Sequence, residues 1–312
     1  MDTGSRDTIG VRAITFDPSG DRFAVICRDN TVRIWDKTFQ EIAKLTHSAP
    51  VISIAWMVDD ISIASLGSNG IVSRWSLVGN NKWMWEMLVD CSDTDPSCFA
   101  YYRQKFAVAS PRRGIRIWEC KNGLWMQMQC ELLLKDTLTM KFINDGNELL
   151  CGCSDGSLIR YSISTCSVQQ MMAFKTKVFH VDADPANSHA LIAQALGSAH
   201  LVDLALGNSR PFDRVLQDYS LRDAEQQYGA RGVHGFKPIF TDYGDAVIFG
   251  AIEGRALVWD RRRGQIIYEM DHGSDVHIQA VASFNSDNGD QHLISCTKYG
   301  LLTWWRLPIR IF

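Results

Sequence analysis

Residues that could carry catalysis or bind a metal are dispersed along this 312-residue chain. The sequence has no glycine-rich P-loop and no His-x-x-x-His or His-Glu-x-x-His pair, the spacings that phosphate and zinc sites use. The closest histidines, His272 and His277, flank a short polar segment and could meet at one edge of a fold. Loop histidines are the more common explanation for such a pair. We therefore expect neither catalytic residues nor a metal ion.

Cys151 and Cys153 are the closest pair among nine cysteines. Side chains alternate along a strand, so both would point to one face with Gly152 between them. A metal site would need a second pair or nearby histidines, and the nearest histidine is His180. A redox pair is the alternative. We expect buried thiols of an intracellular protein without a cofactor.

Composition narrows the possible partners. The net charge is −3 and charged residues make up 21% of the chain, which argues against a dedicated nucleic-acid binder. No apolar run is long enough to span a membrane, and the first twenty residues lack a signal-peptide core. These features favour an intracellular chain, cytoplasmic or nuclear, without membrane insertion.

The elements that would position functional residues form an internal repeat. Each copy reads as strand, tight turn, strand, turn and a third strand that usually ends in an aromatic residue. The clearest copy runs from Val11 to Asp36 and contains the turn Asp17-Pro18-Ser19-Gly20. Seven third strands end at residues 35, 75, 118, 161, 202, 259 and 305, a spacing near that of four-stranded propeller blades.

The aromatic residues at these ends carry a family resemblance. Trp35-Asp36 and Trp259-Asp260 match the Trp-Asp pair that names the WD40-repeat family, and Trp75-Ser76 and Trp118-Glu119 are degenerate versions. The chain thus resembles a WD40-repeat protein over essentially its whole length. The resemblance implies an all-β fold, a seven-bladed WD40-type β-propeller of four-stranded antiparallel blades. One domain, residues 1–312, would hold blades at about 8–46, 47–90, 91–134, 135–175, 176–229, 230–271 and 272–312.

The same resemblance implies a brace within each blade, in which an Asp and a His bridge turn, strand and Trp. Asp29 and Asp155 match the family's Asp, whereas Asn69 and Glu253 replace it. His47 and His272 lie at or near the family's His position.

A closed propeller exposes two kinds of loop on one rim: the turn between second and third strands, and the link to the next blade. Rigid scaffolds that present such loops suit peptide or protein recognition. We therefore expect a non-catalytic scaffold that binds protein or peptide partners, as part of a larger complex. The candidate rim residues are Arg28, Asp29, Arg112, Arg113, Asp155, Glu253, Lys298 and Tyr299.

An alternative function comes from the segment 247–262. It resembles the box through which some WD40 proteins dock on the adaptor of cullin–RING ubiquitin ligases, and its ending is met by Trp259, Asp260 and Arg262. The chain would then be a substrate receptor. An enzyme of propeller form is a third hypothesis, for which the sequence offers no cluster of candidate residues.

Three local features stay open. The segment 206–234 fits either a helix, with Phe212, Val215, Leu216 and Tyr219 on one face, or a fourth strand plus a polar loop. The last blade could be completed by residues 307–312 or by residues near 3–9. Trp83, Trp85 and Met87 share a face of an outermost strand, where packing between blades is favoured over an exposed patch for a partner.

Overall fold

The computed structural model describes residues 2–3, 10–59, 61–79, 82–129, 132, 136–194, 198–205, 215–220, 237–250, 254–273, 278–286, 289–297 and 299–307. These residues form seven four-stranded antiparallel sheets, with a 3₁₀ turn at Asp242–Gly244 and no α-helix among them. The predicted fold class, a seven-bladed β-propeller of four-stranded antiparallel blades, is confirmed.

The chain divides into two compact units. The first comprises residues 1–29, 33–42 and 182–312, and the second comprises residues 30–32 and 43–181.

Three sheets lie within the second unit. Their strands are β6 (Val51–Trp56), β7 (Ser62–Gly67), β8 (Ile71–Val78) and β9 (Lys82–Asp90); β10 (Cys98–Tyr102), β11 (Lys105–Ser110), β12 (Gly114–Lys121) and β13 (Leu124–Gln127); and β14 (Thr137–Ile143), β15 (Glu148–Cys153), β16 (Ser157–Ser162) and β17 (Ser167–Ala173).

Four sheets lie wholly or partly in the first unit. Their strands are β2 (Val11–Phe16), β3 (Arg22–Cys27), β4 (Thr31–Asp36) and β5 (Glu41–Thr46); β18 (Val178–Ala183), β19 (His189–Gln194), β20 (Ser198–Asp203) and β21 (Val215–Ser220); β22 (Ile239–Thr241), β23 (Ala246–Gly250), β24 (Arg255–Asp260) and β25 (Ile266–Asp271); and β26 (Ile278–Asn285), β27 (Gln291–Thr297) and β28 (Leu302–Leu307) with β1 (Asp2–Thr3).

The core of each unit lies between facing sheets, because the second strand of each sheet is buried almost throughout, on both of its faces. In the second unit Phe106 is fully buried on β11, with its ring centroid 5.1 Å from that of Trp118 and 4.7 Å from that of Trp125. In the first unit Phe23 is likewise fully buried, on β3, and its ring contacts those of Phe16 and Trp304. Burying one such ring contributes about 1.5–3 kcal/mol.

Two open features of the sequence are decided by strand pairing. Residues 215–220 form β21, paired with β20, so the helical interpretation is wrong for that stretch. The backbone amides and carbonyls at the edge of β20 need hydrogen-bond partners. Pairing with residues 215–220 supplies them, and this requirement overrides a helical spacing of only a few residues. At the last sheet Asp2 and Thr3 pair with Trp304 and Thr303, so the N-terminal alternative supplies the fourth strand. Residues 206–214, 221–236 and 308–312 lie outside the described part of the chain.

Cys151 and Cys153 are buried in β15, as expected for core thiols. Burial raises the pKa of the Cys151 thiol well above its usual range and that of Cys153 to about 11. A protonated thiol is a poor nucleophile and a poor metal ligand, so neither group is poised for redox or metal chemistry.

Candidate protein-interaction surface

The rim residues predicted from the sequence occupy turns between second and third strands wherever they are described. In an antiparallel meander successive turns alternate between the two ends of the sheet, so these turns and the link to the next sheet share one end. Arg112 and Arg113 lie between β11 and β12, and Asp155 lies between β15 and β16. Arg28 and Asp29 in the first unit precede β4, and the exposed Tyr299 precedes β28. Glu253 and Lys298 lie outside the described residues.

Two arginines and two aspartates meet at the rim end of the β10–β13 sheet. Arg112 Nε lies 3.2 Å from a carboxylate oxygen of Asp95, and Arg113 Nη2 lies 3.4 Å from one of Asp93. The side chains of Arg112 and Asp95 are 71% and 73% exposed. Exposed pairs of this kind contribute about 0–1 kcal/mol, so an acidic group on a partner could displace them at little cost.

Arg116 is a third arginine of this cluster, one that sequence reasoning missed. Its guanidinium donates to Asp93 at 3.3 Å and lies 5.4 Å from the ring centroid of Trp118. Unlike Arg112 and Arg113 it is largely buried, since its side chain is held against the sheet. Alternation places residues 116 and 118 on the same face of β12, and that spacing was the available signal.

The backbone around the cluster is held by local hydrogen bonds. The Arg113 amide donates to Ser110 Oγ at 3.1 Å, and Gly114 ends the turn with φ at 71°. In the facing link, Thr94 Oγ1 donates to the Cys91 carbonyl at 2.7 Å, and Ser97 Oγ donates to the Thr137 carbonyl at 2.8 Å. The charged side chains therefore project from a fixed backbone.

The remaining rim candidates have local structural partners. Asp155 accepts the Ser157 amide at 2.8 Å, which shapes its own turn. Asp29 lies 3.4 Å from Arg33, which also pairs with Glu41 at 3.0 Å. Arg28 is exposed, and its backbone amide donates to the Gly10 carbonyl at 2.8 Å. The structure brings only Arg112 and Arg113 of these candidates into one described cluster.

Among the described residues, two blades contain a brace like the one that the family resemblance implied. In both, a histidine, a serine and a tryptophan side chain are connected by contacts within hydrogen-bond distance. His47 Nδ1 lies 3.1 Å from the Leu45 carbonyl, and Nε2 lies 3.0 Å from Ser65 Oγ and 3.1 Å from Trp75 Nε1. In the last sheet Ser295 Oγ bridges His272 Nε2 at 2.8 Å and Trp305 Nε1 at 2.6 Å. Burial lowers the pKa of both His47 and His272. These histidines hold the links at the rim in place and are not available as ligands.

The residues proposed for adaptor docking differ in accessibility. Trp259 and Asp260 are buried, and Asp260 accepts the amides of Arg262 and Arg263 at 2.7 Å each. Arg262 itself is 78% exposed in the turn after β24. That turn follows β24, whereas the rim lies at the end where β24 begins, so the docking residue and the rim are on opposite edges of the blade.

The tryptophans of the outermost strands do not all pack between blades. Trp125 of β13 does, against a core cluster that contains residues of both the β6–β9 and the β10–β13 sheets, such as Leu66 and Phe106. Trp85 is 54% exposed and Met87 is 49% exposed, so packing between blades is the wrong interpretation for these two. Strand β9 therefore presents apolar side chains to solvent.

Other chemistry finds little support among the described residues. Gly152-Cys153-Ser154-Asp155-Gly156 matches the spacing of a Gly-x-Ser-x-Gly nucleophile motif. It lies in a strand–turn–strand, however, and the motif needs a strand–turn–helix to present its serine. No three His, Cys, Asp or Glu side chains of the described chain are placed to hold a metal ion. Over the same residues no helix is long and apolar enough to cross a membrane.

Comparison with known proteins agrees with this geometry. The model of the WD domain, G-beta repeat family matches residues 3–36. A WD repeat-containing protein 26 homolog from Arabidopsis thaliana is 21% identical over 310 residues, which cover 94% of this chain and 48% of that protein. The chain thus spans about half the length of this curated relative. Together with the seven four-stranded sheets, these matches support the predicted resemblance to WD40-repeat β-propellers.

Proposed function

We propose that the chain is a non-catalytic scaffold that binds protein or peptide partners through the rim turns of its blades. A WD40 propeller fits a protein-interaction scaffold. The rim cluster of Arg112, Arg113, Asp93 and Asp95 supports the proposal most directly, because charged side chains are exposed there on a rigid backbone.

The charge of the cluster favours an acidic partner segment. Three guanidinium groups, of Arg112, Arg113 and Arg116, share the two carboxylates of Asp93 and Asp95. An aspartate or glutamate of a partner would replace one exposed ion pair with a charge-assisted hydrogen bond shielded from solvent. Bonds of that kind contribute about 1.5–3 kcal/mol.

A charge reversal at the rim tests this function. Arg112→Glu with Arg113→Glu should remove the partner proteins that the unmodified chain captures. The matched control is Arg103→Glu with Lys121→Glu, which reverses two exposed charges at the opposite end of the same sheet. Equal capture by both double variants would contradict the proposal.

Docking on a cullin–RING ligase adaptor remains a second proposal, favoured by the exposure of Arg262 on the edge opposite the rim. One edge would hold the adaptor and leave the other for substrate. Arg262→Ala should abolish adaptor pull-down, whereas Arg263→Ala, which alters the neighbouring exposed arginine of the same turn, should leave it unchanged. Absence of pull-down by the unmodified chain would also contradict this role.

Membership of a larger complex, an intracellular location and the absence of nucleic-acid partners stay predictions from composition and family.

A further inference from the structure

The outermost strand of the β6–β9 sheet is long and carries exposed apolar side chains. β9 spans nine residues, against six for β5 and for β25 in equivalent places. Met84 and Trp85, which point to opposite faces, are 52% and 54% exposed. The outer edge of a sheet carries backbone amides and carbonyls without a neighbouring strand, and proteins normally shorten or cover such an edge.

The pairing of β9 with β8 assigns its side chains to faces. Lys82, Met84 and Glu86 lie opposite Val78, Ser76 and Arg74 on one face. Trp83 and Trp85 lie opposite Leu77 and Trp75 on the other face. The exposed Lys82 and Glu86 make no side-chain ion pair within the described chain.

We propose that β9 pairs antiparallel with β9 of a second copy of this chain, with the two-fold axis at Met84. In this register Lys82 lies opposite Glu86 of the second copy, and the symmetry creates the pair twice. Trp83 lies opposite Trp85 of the second copy, also twice. Opposite charges and aromatic pairs across strands each contribute about 0.2–1 kcal/mol, and a two-fold contact of one surface with itself is the commonest form of oligomer.

Charge complementarity favours this register over its neighbours. It also favours a second copy of the chain as the partner strand at the β9 edge. A two-fold axis at Trp85 would place Met84 opposite Glu86, and an axis at Glu86 would place two carboxylates opposite each other. Of these three axes, only the one at Met84 places Lys82 and Glu86 opposite each other. The pattern Lys82-Trp83-Met84-Trp85-Glu86 is therefore complementary to itself.

The face that carries Trp85 also has room for the second strand's side chains. A pocket of about 390 Å³ lies there, lined by Trp85, Met87, Trp75, Ile71 and the link residues 46–49 among others. Trp83 of the second copy would lie on this face beside the pocket. A single strand pair is small for a protein interface, so the dimer should be reversible and depend on concentration.

Sedimentation velocity over a series of protein concentrations tests the proposal. The unmodified chain should show a monomer–dimer equilibrium. Lys82→Glu alone or Glu86→Lys alone places like charges opposite each other at both symmetric contacts, and each should weaken the dimer at least tenfold. Lys121→Glu, an exposed charge reversal on β12, should have no effect.

Mixing the two single variants provides the decisive arm. In a mixed dimer of K82E with E86K every contact again joins opposite charges, so association should return. The double variant K82E/E86K should also dimerise. Circular dichroism melts establish that each variant is folded. A chain that stays monomeric throughout the series, including one that binds a peptide at this edge instead, overturns the proposal. The proposal is also overturned if K82E and E86K each dimerise as strongly as the unmodified chain, or if the mixture of the two variants fails to associate.

Discussion

The indole Nε1 of Trp75 donates a 3.1 Å hydrogen bond to Nε2 of His47, on the link between β5 and β6. Because Nε2 accepts, the ring proton resides on Nδ1, which donates to the Leu45 carbonyl at 3.1 Å. The bond joins the third strand of the sheet to the link that enters the same sheet. It connects the core of the blade to a loop at the rim, where partners are proposed to bind.

Removing this indole donor should destabilise the chain. Trp75→Phe keeps an aromatic ring but deletes the hydrogen bond, and the expected loss is about 0.5–1.5 kcal/mol of unfolding free energy. Trp85→Phe is the matched control, since Trp85 Nε1 donates to Ser73 Oγ at 3.0 Å from a half-exposed ring. Urea unfolding should show the smaller loss for the control, and equal losses would contradict a structural role for the brace.

Stability should fall as the solution becomes mildly acidic. Burial lowers the pKa of His47 and His272 in the folded chain below the usual 6.5. Below pH 6.5 the unfolded chain therefore binds protons that the folded chain does not, and the free energy of unfolding decreases. Above that pH both states are neutral at these sites and the contribution is constant.

Urea unfolding at a series of pH values between neutrality and about 5 measures this slope. His47→Asn should flatten it, in addition to any loss at neutral pH. An unchanged slope in this variant would mean that His47 titrates alike in both states.

Two turn glycines, Gly156 at the rim and Gly123 at the opposite end of its sheet, should differ in their tolerance of alanine. Gly156 has φ at +89°, and an added Cβ would lie 2.2 Å from the Phe174 carbonyl oxygen on the facing link. Gly123 has φ at +81° but open space around it. Gly123→Ala should cost about 1–2 kcal/mol for backbone conformation alone. Gly156→Ala should cost at least twice as much, because the link must also move. Thermal melts of the two variants compare the costs directly.

The repeat made the fold predictable from the sequence. Alternating apolar residues and turn glycines recur with one period, so weak local signals add up over seven copies. The segment 215–220 shows the limit of this reasoning, because spacings such as Val215, Leu216 and Tyr219 fit a helix until the edge of β20 is known to need a partner.

The site was only partly predictable. His47 and Arg112 could be placed by their position in the repeat. Ser65 could not, since a single polar residue within a strand gives no sign of what its side chain meets across the sheet. For Arg116 the only signal was its alternation with Trp118 on β12. The exposure of Trp85 depends on how much of its ring the neighbouring side chains cover, which a strand pattern does not encode.

The most direct test of rim recognition measures the affinity of a captured partner for the chain and for its Arg112→Ala/Arg113→Ala variant. The exposed ion pairs contribute little to folding, so the variant should keep the unfolding free energy to within about 1 kcal/mol. Loss of two charge-assisted contacts should weaken binding at least tenfold, as about 1.4 kcal/mol corresponds to a factor of ten. Arg103→Ala/Lys121→Ala should bind normally. An unchanged affinity in the rim variant would contradict the account.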